Sequence, residues 1–128
     1  MERAIEGQPL VIQGTGKAVR TYQYAADMAR WLLICLVHGT KGSSYNVGSD
    51  EPVTILELAR TVGRLAGNVE VRVEGRAAES LAGAFYIPDT QRAQSELGLR
   101  NSVGLEDGVQ RMLQWRRSKA ATSLTSHE

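Results

Sequence analysis

The chain has 128 residues, of which 42% are hydrophobic, and its formal net charge is +1. This length suits one domain with a single core, and the balanced charge disfavours nucleic acid or an anionic membrane surface as a partner. The longest apolar run, Trp31 to Val37, is far shorter than the ~20 residues that span a bilayer.

The cellular compartment is indicated by two features. The N-terminal residues lack the apolar stretch of a signal peptide, and Cys35 is the only cysteine. A single cysteine forms no intramolecular disulfide, which fits a reducing environment. We therefore expect a soluble, cytoplasmic protein in which Cys35 is a small core residue.

Strand-like and helix-like segments alternate along the first third of the chain. Residues 9–13 read as a β-branched strand, and residues 19–24 alternate as a half-buried strand does. The GTGK sequence between them predicts a hairpin turn. Residues 25–37 form the next helix, which is too apolar all round to be exposed. Asp27 lies in its first turn, where a carboxylate favours the free amides.

The rest of the chain continues this alternation. Its predicted elements are a strand at 45–47, a helix beginning at the capping box of Thr54 and Glu57, a strand at 69–73, a helix from Asp89 to Leu97 and a last helix with its apolar positions at 105–113. Residues 119–128 are rich in Ser and Thr, and we expect a disordered tail there. Residues 1–118 then form one small, mixed α/β domain of short strands and about four helices.

The glycine pair in the segment from Ile12 to Arg20, IQGTGKAVR, allows two interpretations. A dinucleotide-binding loop needs G-x-G-x-x-G between a strand and a helix. Here the third position is Val19, and a strand-like segment follows, so a turn is favoured. A hairpin would place Arg20 at the start of the returning strand, where its planar guanidinium could bind phosphate. An ordinary surface arginine is the commoner alternative.

Five short motifs occur in a fixed order. They are G-x-G-x-x-x-R followed by an aromatic strand and Asp27, YNVG at 45–48, PVTILELA at 52–59, YIPD at 86–89 and ELG at 96–98. This series resembles the C-terminal, substrate-binding part of the extended short-chain dehydrogenases/reductases, the NAD-dependent epimerase/dehydratase family, over about residues 8–115. Within the family, the sequence RTYQYAADMARWL, residues 20–32, is most similar to the dTDP-glucose 4,6-dehydratase branch and to neighbouring nucleotide-sugar epimerases and decarboxylases.

The resemblance implies a site for the nucleotide-diphosphate part of a dTDP- or UDP-linked sugar. Arg20 matches the arginine of the family that binds the diphosphate of the nucleotide-sugar. Val11, Ile12 and Gln13 match the strand whose backbone lines the nucleotide pocket. Asn46 matches an asparagine near the nucleotide end of the substrate, and an asparagine that satisfies local backbone is an equally open alternative.

One position departs from the family's pattern. Phe85 stands where the family often has a second phosphate-binding arginine just before its YxPD motif. The resemblance then implies that the affinity for diphosphate depends on Arg20, with Arg76 as the other candidate. A charge-assisted hydrogen bond contributes about 1.5–3 kcal/mol.

Catalytic and cofactor-binding residues of the family are not found in the chain. In the family, a tyrosine acts as general base and a lysine four residues later lowers its pKa. Here the residue four positions after a tyrosine is Ala26, Met28, Ser49 or Thr90, and never a lysine. His38 and His127 lack companions at metal-ligand spacing. We therefore predict no catalytic, metal or cofactor site in this chain, with NAD bound by the Rossmann domain of a larger parent enzyme for cell-surface sugar or lipopolysaccharide biosynthesis.

A second function class is a non-catalytic interaction or assembly module that retains the fold. Phe85 and the neutral sequence at 81–84 favour it. Under either interpretation, a domain separated from its Rossmann partner exposes the apolar face between them, and such faces associate. We expect a homo-oligomer.

Overall fold

A computed structural model describes residues 1–75 and 85–125 of the chain, with side chains as far as Lys119. Its elements in chain order are α1 (Glu2–Ile5), β1 (Leu10–Ile12), β2 (Val19–Arg20), α2 (Ala25–His38), β3 (Val53–Thr54), α3 (Ile55–Gly67), β4 (Val71–Val73), α4 (Gln91–Leu97) and α5 (Leu105–Thr125). The predicted mixed α/β class is confirmed, with the short α1 added to the expected helices.

The strands form two separate pairs. β1 lies parallel to β4, with Val11 opposite Arg72, and β2 lies antiparallel to β3, with Arg20 opposite Val53. β1 and β2 are therefore not paired with each other, and the predicted hairpin is wrong. The partner of β1 lies about sixty residues along the chain, beyond the reach of a local turn signal.

The glycine-containing loop 14–18 instead covers the start of α3. The amide of Leu56 donates to the carbonyl of Gly16, and the amide of Ile55 donates to that of Ala18, both at 3.0 Å. Gly16 has a φ of +71°, and a Cβ added there would lie 3.0 Å from the Cβ of Leu56. The glycine thus allows a close approach that satisfies two of the free amides of the helix.

The predicted capping box at the start of α3 is confirmed. The amide of Glu57 donates to Oγ1 of Thr54 over 3.1 Å, and the amide of Thr54 donates to the Glu57 carboxylate over 2.8 Å. The hydrogen bonds from the backbone and side chain of Thr54 lower the pKa of Glu57. Together with the loop carbonyls, this box gives each of the first three residues of α3 an acceptor for its amide.

The apolar side chains form two cores. The first, which we call the α3–α5 core, is built on buried Ala4, Val62, Val109 and Leu113. The second, the Trp31 core, is built on buried Trp31, Ala93 and Leu99, and Cys35 packs against it as a half-buried residue.

The segment from Leu99 to Val103 connects the two cores through Asp27. The Asp27 carboxylate is 3% exposed and accepts hydrogen bonds from the Ser102 amide (2.9 Å), the Ser102 hydroxyl (2.7 Å) and the Val103 amide (3.0 Å). Nearby, Nε1 of Trp31 donates to the carbonyl of Arg100 over 3.3 Å. Asp27 lies in the first turn of α2 as predicted, but its carboxylate accepts these hydrogen bonds from a distant segment and caps no amide of its own helix.

Burial of Asp27 by itself raises its pKa, but the hydrogen bonds from Ser102, Val103 and Arg30 outweigh burial, so the net shift of the pKa is downward. The carboxylate is thus held in its charged form in the folded state.

Four further predictions differ from the structure. The strand predicted at 19–24 is shorter in the structure, since β2 ends at Arg20, where its pairing with the two residues of β3 ends. The segment 45–47, predicted as a strand, is not one, because no described strand lies beside it. One side of α2 is exposed to solvent, contrary to expectation. α5 continues to Thr125, so residues 119–125, where we expected a disordered tail, are helical. Lys119, Ala120 and Ala121 are good helix formers.

We expect Asp27→Asn to destabilise the fold by about 1.5–3 kcal/mol at pH 7, because the amide NH₂ faces donors that need an acceptor. The folded-state pKa of Asp27 lies below that of an unfolded aspartate, near 3.9. The stabilisation is therefore fully present above about pH 4 and is lost as the pH falls through the folded-state pKa. Urea unfolding at pH 7 and pH 3 measures both effects.

The control is Asp107→Asn, which removes an exposed ion pair with Arg111 and should change the free energy of unfolding little. Equal effects of the two variants would contradict the role of Asp27.

Gly16→Ala should destabilise the fold more than Gly7→Ala. The two glycines have nearly the same φ, +71° and +69°, but nothing lies within 4 Å of a Cβ added at Gly7. Gly7→Ala should thus cost about 1–2 kcal/mol for the left-handed backbone alone, and Gly16→Ala should add the contact with Leu56. Chemical denaturation of both variants measures the difference, and identical midpoints would show that the loop does not press on α3.

Candidate functional site

Arg20 is the last residue of β2 and is half-buried. On one side β2 pairs with β3, where Arg20 lies opposite Val53. On the other side Val19 forms a parallel bridge with Phe85, and the amide of Tyr86 donates to the carbonyl of Val19 over 3.3 Å. Arg20 therefore lies on the middle one of three adjacent backbone segments, neither isolated in solvent nor deeply buried.

The guanidinium of Arg20 is held close to its own strand. Its Nη1 atom donates to the carbonyl of Val19 over 2.7 Å. The arginine fork carries five N–H donors in a planar arrangement. Such a fork has the geometry to bind two oxygens of a phosphate group.

Two exposed aromatic residues lie next to β2. Phe85 is 69% exposed and Tyr86 is 70% exposed. Because Val19 pairs with Phe85, the register places Tyr86 alongside Arg20. The position at which the family often has a second arginine is thus adjacent to the strand of Arg20. Sequence reasoning missed Tyr86 as a neighbour of Arg20, although its place in the YIPD motif, directly after Phe85, was a usable signal.

The predicted pocket-lining residues Val11, Ile12 and Gln13 lie at β1 and just after it. Val11 and Ile12 are half-buried, whereas Gln13 is exposed. The Leu10 amide donates to the carbonyl of Glu70, and the Ile12 carbonyl accepts from the amide of Glu74, both over 2.8 Å. In a parallel pair, alternate residues of a strand bond to the partner, so the backbone groups of Val11 are directed away from β4.

A cavity of about 590 Å³ lies against β1. Its walls are mainly apolar and include Val11, Ile12 and Tyr22 to Tyr24, together with residues of α3 and the start of α5. Neither Arg20 nor Asn46 lines it. Oε1 of Gln23, which borders the cavity, is buried and has no hydrogen-bond partner among the described residues.

Asn46 lies apart from this cavity and joins two of the motifs. Its Nδ2 atom donates to the carbonyl of Asp89 over 2.7 Å, which ties YNVG to YIPD. The Asp89 carboxylate in turn accepts from the amide of Gln91, the first residue of α4, over 2.9 Å, whereas Thr90 occupies the N-cap position of that helix. The contact of Asn46 favours the alternative in which it satisfies backbone groups, at long range.

The structure thus brings the predicted site residues together only in part. Val11 and Ile12 border one cavity, Gln13 follows them, and Arg20 and Asn46 lie on other segments. Arg76 and residues 81–84 lie outside the described residues. Within the described ranges, no cluster of His, Cys, Asp and Glu is arranged to hold a metal ion, and no helix there is long and apolar enough to cross a membrane.

Comparison with known proteins identifies relatives for this arrangement. Residues 1–48 match the model of the NAD dependent epimerase/dehydratase family. The chain is related to the NAD-dependent epimerase/dehydratase family. Its resemblance to the extended short-chain dehydrogenases/reductases is thereby confirmed.

Two curated relatives and one solved structure illustrate the relationship. A trifunctional UDP-glucose 4,6-dehydratase/UDP-4-keto-6-deoxy-D-glucose 3,5-epimerase/UDP-4-keto-L-rhamnose-reductase of Arabidopsis thaliana is 30% identical over 113 residues, covering 88% of this chain and 17% of that protein. The dTDP-glucose 4,6-dehydratase of Salmonella typhimurium is 28% identical over 119 residues, covering 88% and 33%. The Bordetella bronchiseptica enzyme WbmF, solved with NAD+ and UDP, superposes with a TM-score of 0.78 at 27% identity, covering 94% and 35%. The chain therefore spans about a third or less of the length of these relatives.

Asn46→Ala should lower the stability of the fold by about 0.5–1.5 kcal/mol, because it removes the hydrogen bond to Asp89. Its effect on nucleotide binding should be small if Asn46 only joins the two motifs. Thermal unfolding, together with titration of UDP, separates the two roles. A variant with unchanged stability and weakened UDP binding would instead identify Asn46 as a ligand.

Proposed function

We propose that this chain binds the nucleotide-diphosphate part of a dTDP- or UDP-linked sugar, as the substrate-binding part of an NAD-dependent epimerase or dehydratase. The observation that carries the proposal is the placement of Arg20, half-buried on the middle segment between β3 and the Phe85–Tyr86 segment. The relatives support the substrate class, since their names include UDP- and dTDP-glucose dehydratases.

Arg20 has the chemistry that a diphosphate requires. A guanidinium stays charged at every working pH and binds two phosphate oxygens at once. Partial burial strengthens that attraction, because less water screens the charges. The short sheet fixes the backbone on both sides of the arginine, so little ordering remains to be done when the ligand binds.

The nucleotide would lie towards β1. There Val11 presents backbone groups that β4 does not use, and Gln13 is exposed at the end of the strand. Backbone N–H and C=O groups recognise the edge of a base by its donors and acceptors. Tyr86, exposed beside Arg20, offers a ring surface for the sugar or the base.

NAD and the proton-transferring residues are supplied by a Rossmann domain outside these 128 residues. The chain has no Tyr-x-x-x-Lys pair and no glycine fingerprint. We therefore expect the chain alone to bind no NAD and to turn over no nucleotide-sugar. The half-buried, free thiol of Cys35 fits our placement of the protein in the cytoplasm.

Arg20→Ala should weaken the binding of UDP and dTDP by about tenfold or more, since a charge-assisted hydrogen bond contributes about 1.5–3 kcal/mol. Binding by the wild-type chain should be weak and should fall as salt is added. Calorimetric titration at two salt concentrations measures both effects. Arg72→Ala is the matched control, because Arg72 is an exposed arginine of β4 that pairs with Glu70. Equal affinity of Arg20→Ala and the wild type would remove the basis of the proposal.

The second candidate function is a non-catalytic interaction or assembly module. Phe85, exposed at a position where the family often has an arginine, favours it. The titration above distinguishes the two functions, since a module of this kind binds neither UDP nor dTDP at any usable concentration. The self-association that we expect under either function is measured by sedimentation, and a monomer at high concentration would count against that expectation.

A further inference from the structure

The backbone of β4 is bonded to β1 through alternate residues only. The Glu70 carbonyl accepts from β1 and the Glu74 amide donates to β1, both over 2.8 Å. Because alternate residues of a strand bond to the same neighbour, the N–H and C=O groups of Val71 and Val73 are directed away from β1. These groups form no hydrogen bond within the described residues. The side of β4 opposite β1, which we call the outer edge of β4, is therefore a template for another strand.

The outer edge of β4 is accessible to solvent. Val73 is 43% exposed, and Arg72 and Glu74 are exposed as well. β1 and β4 make a sheet of two strands, and a sheet of that size is marginally stable by itself. An additional strand on the outer edge would satisfy the backbone groups there and enlarge the sheet.

The charges next to the outer edge favour a second copy of β4 as that strand. Glu70, Arg72 and Glu74 alternate in sign and share one face of the sheet, because the side chains of alternate residues do. The antiparallel β4 of a second copy, related by a two-fold axis, presents the same series in reverse order. Residues directly opposite each other stabilise an antiparallel pair when their charges are opposite and destabilise it when their charges are alike. The charge series therefore distinguishes between the possible registers.

Two registers bring like charges together. The outward-facing backbone groups of one strand must meet those of the other, so the axis passes through a residue. With the axis at Arg72, the two copies of Arg72 face each other. With the axis at Glu74, the two Glu74 carboxylates do. Repulsion disfavours both registers.

Of the two remaining registers, the backbone favours the one with its axis at Val73. An axis at Val71 brings Val73 opposite Val69. The Val69 amide is not available there, because it already donates to the carbonyl of Gly63 over 2.9 Å. An axis at Val73 instead brings Val71 opposite Gly75, whose backbone groups form no hydrogen bond within the described residues. All the outward-facing groups of this edge then find partners.

We propose that two copies of the chain associate through antiparallel pairing of their β4 strands about a two-fold axis at Val73. The two sheets become one sheet of four strands, and Arg72 of each copy lies opposite Glu74 of the other. These residues form a non-hydrogen-bonded pair, the kind in which opposite side chains are closest. The paired segment, residues 71–75, is about 17 Å long, so the interface is small and the dimer is weak and sensitive to salt. The association requires neither a nucleotide nor the candidate site at Arg20.

The first experiment measures the association of Arg72→Glu, Glu74→Arg and their equimolar mixture by sedimentation equilibrium. Each variant alone places like charges at both contacts, so its association should be about tenfold or more weaker than that of the wild type. In the mixture the two variants carry opposite charges at both contacts, so association should return to the wild-type strength. A wild-type chain that is monomeric at high concentration overturns the proposal, and so does a mixture that associates no better than its components.

The matched control is Glu70→Arg, which makes the same change of charge on the same face of β4. Mixed with Arg72→Glu, it should not restore association, because the substituted position 72 still faces Glu74. Restoration by this mixture would place the axis at Val71 and overturn the proposal. Association that none of the charge variants alters would show that another surface holds the copies together, and overturns it too.

The second experiment changes the backbone of the outer edge. Val73→Pro removes an N–H that no described residue uses, and proline is tolerated on the edge of a sheet. The unfolding temperature should therefore stay nearly unchanged while association is lost, and a variant that associates as the wild type does overturns the proposal. If this variant does not fold, amide hydrogen exchange of the wild type decides. Exchange at Val71 and Val73 should slow as the protein concentration rises from the monomeric to the dimeric range, and rates that do not change overturn the proposal.

Discussion

The Asp27 carboxylate is the interaction on which the arrangement of the two cores depends. It lies at the start of α2, the helix that carries the Trp31 core, and accepts three hydrogen bonds from the segment that leads into α5. α5 in turn packs its buried residues into the α3–α5 core. One buried charge, held ionised by donors from Ser102 and Val103, therefore links the two cores. A neutral or apolar residue could fill the space but could not satisfy those donors.

The position of Arg20 follows from equally short-range constraints. β2 and β3 are only two residues each, too short to be stable as an isolated pair. They persist because β3 leads directly into α3, whose first amides are bonded to the loop before β2 and to the capping box. The bridge from Val19 to Phe85 closes the other side. The backbone around the proposed diphosphate site is thus ordered by the end of a helix rather than by an extended sheet.

Features of the structure that depend on neighbouring residues, such as helix caps and the apolar face of a helix, were predictable from the sequence. The capping box at Thr54 and the apolar spacing of α3 and α5 needed no knowledge of the rest of the chain, and the structure confirms them. The parallel partner of β1, the long-range acceptor role of Asp27 and the contact of Asn46 with Asp89 all join residues more than forty positions apart. No turn residue or periodicity encodes such pairings, and a glycine-rich turn between two strands suggested a hairpin by default. The sequence therefore predicted which residues the candidate site contains, but only part of how they are arranged in space.

The exposed apolar side of α2, formed by Met28, Leu32, Leu33, Leu36 and Val37, shows where the reasoning from sequence was physically sound although its expectation for the structure was wrong. A helix with leucines and a valine on every side should be buried, yet Leu36 is 81% exposed. Natural sequences obey local rules unless another requirement outweighs them, so such a violation marks a surface with a function. Nothing in the described chain can cover this helix without uncovering the Trp31 core, because Trp31, Ile34 and Cys35 already occupy its other side. Burial of Leu36 and the apolar side chains beside it would therefore require a surface outside the described chain.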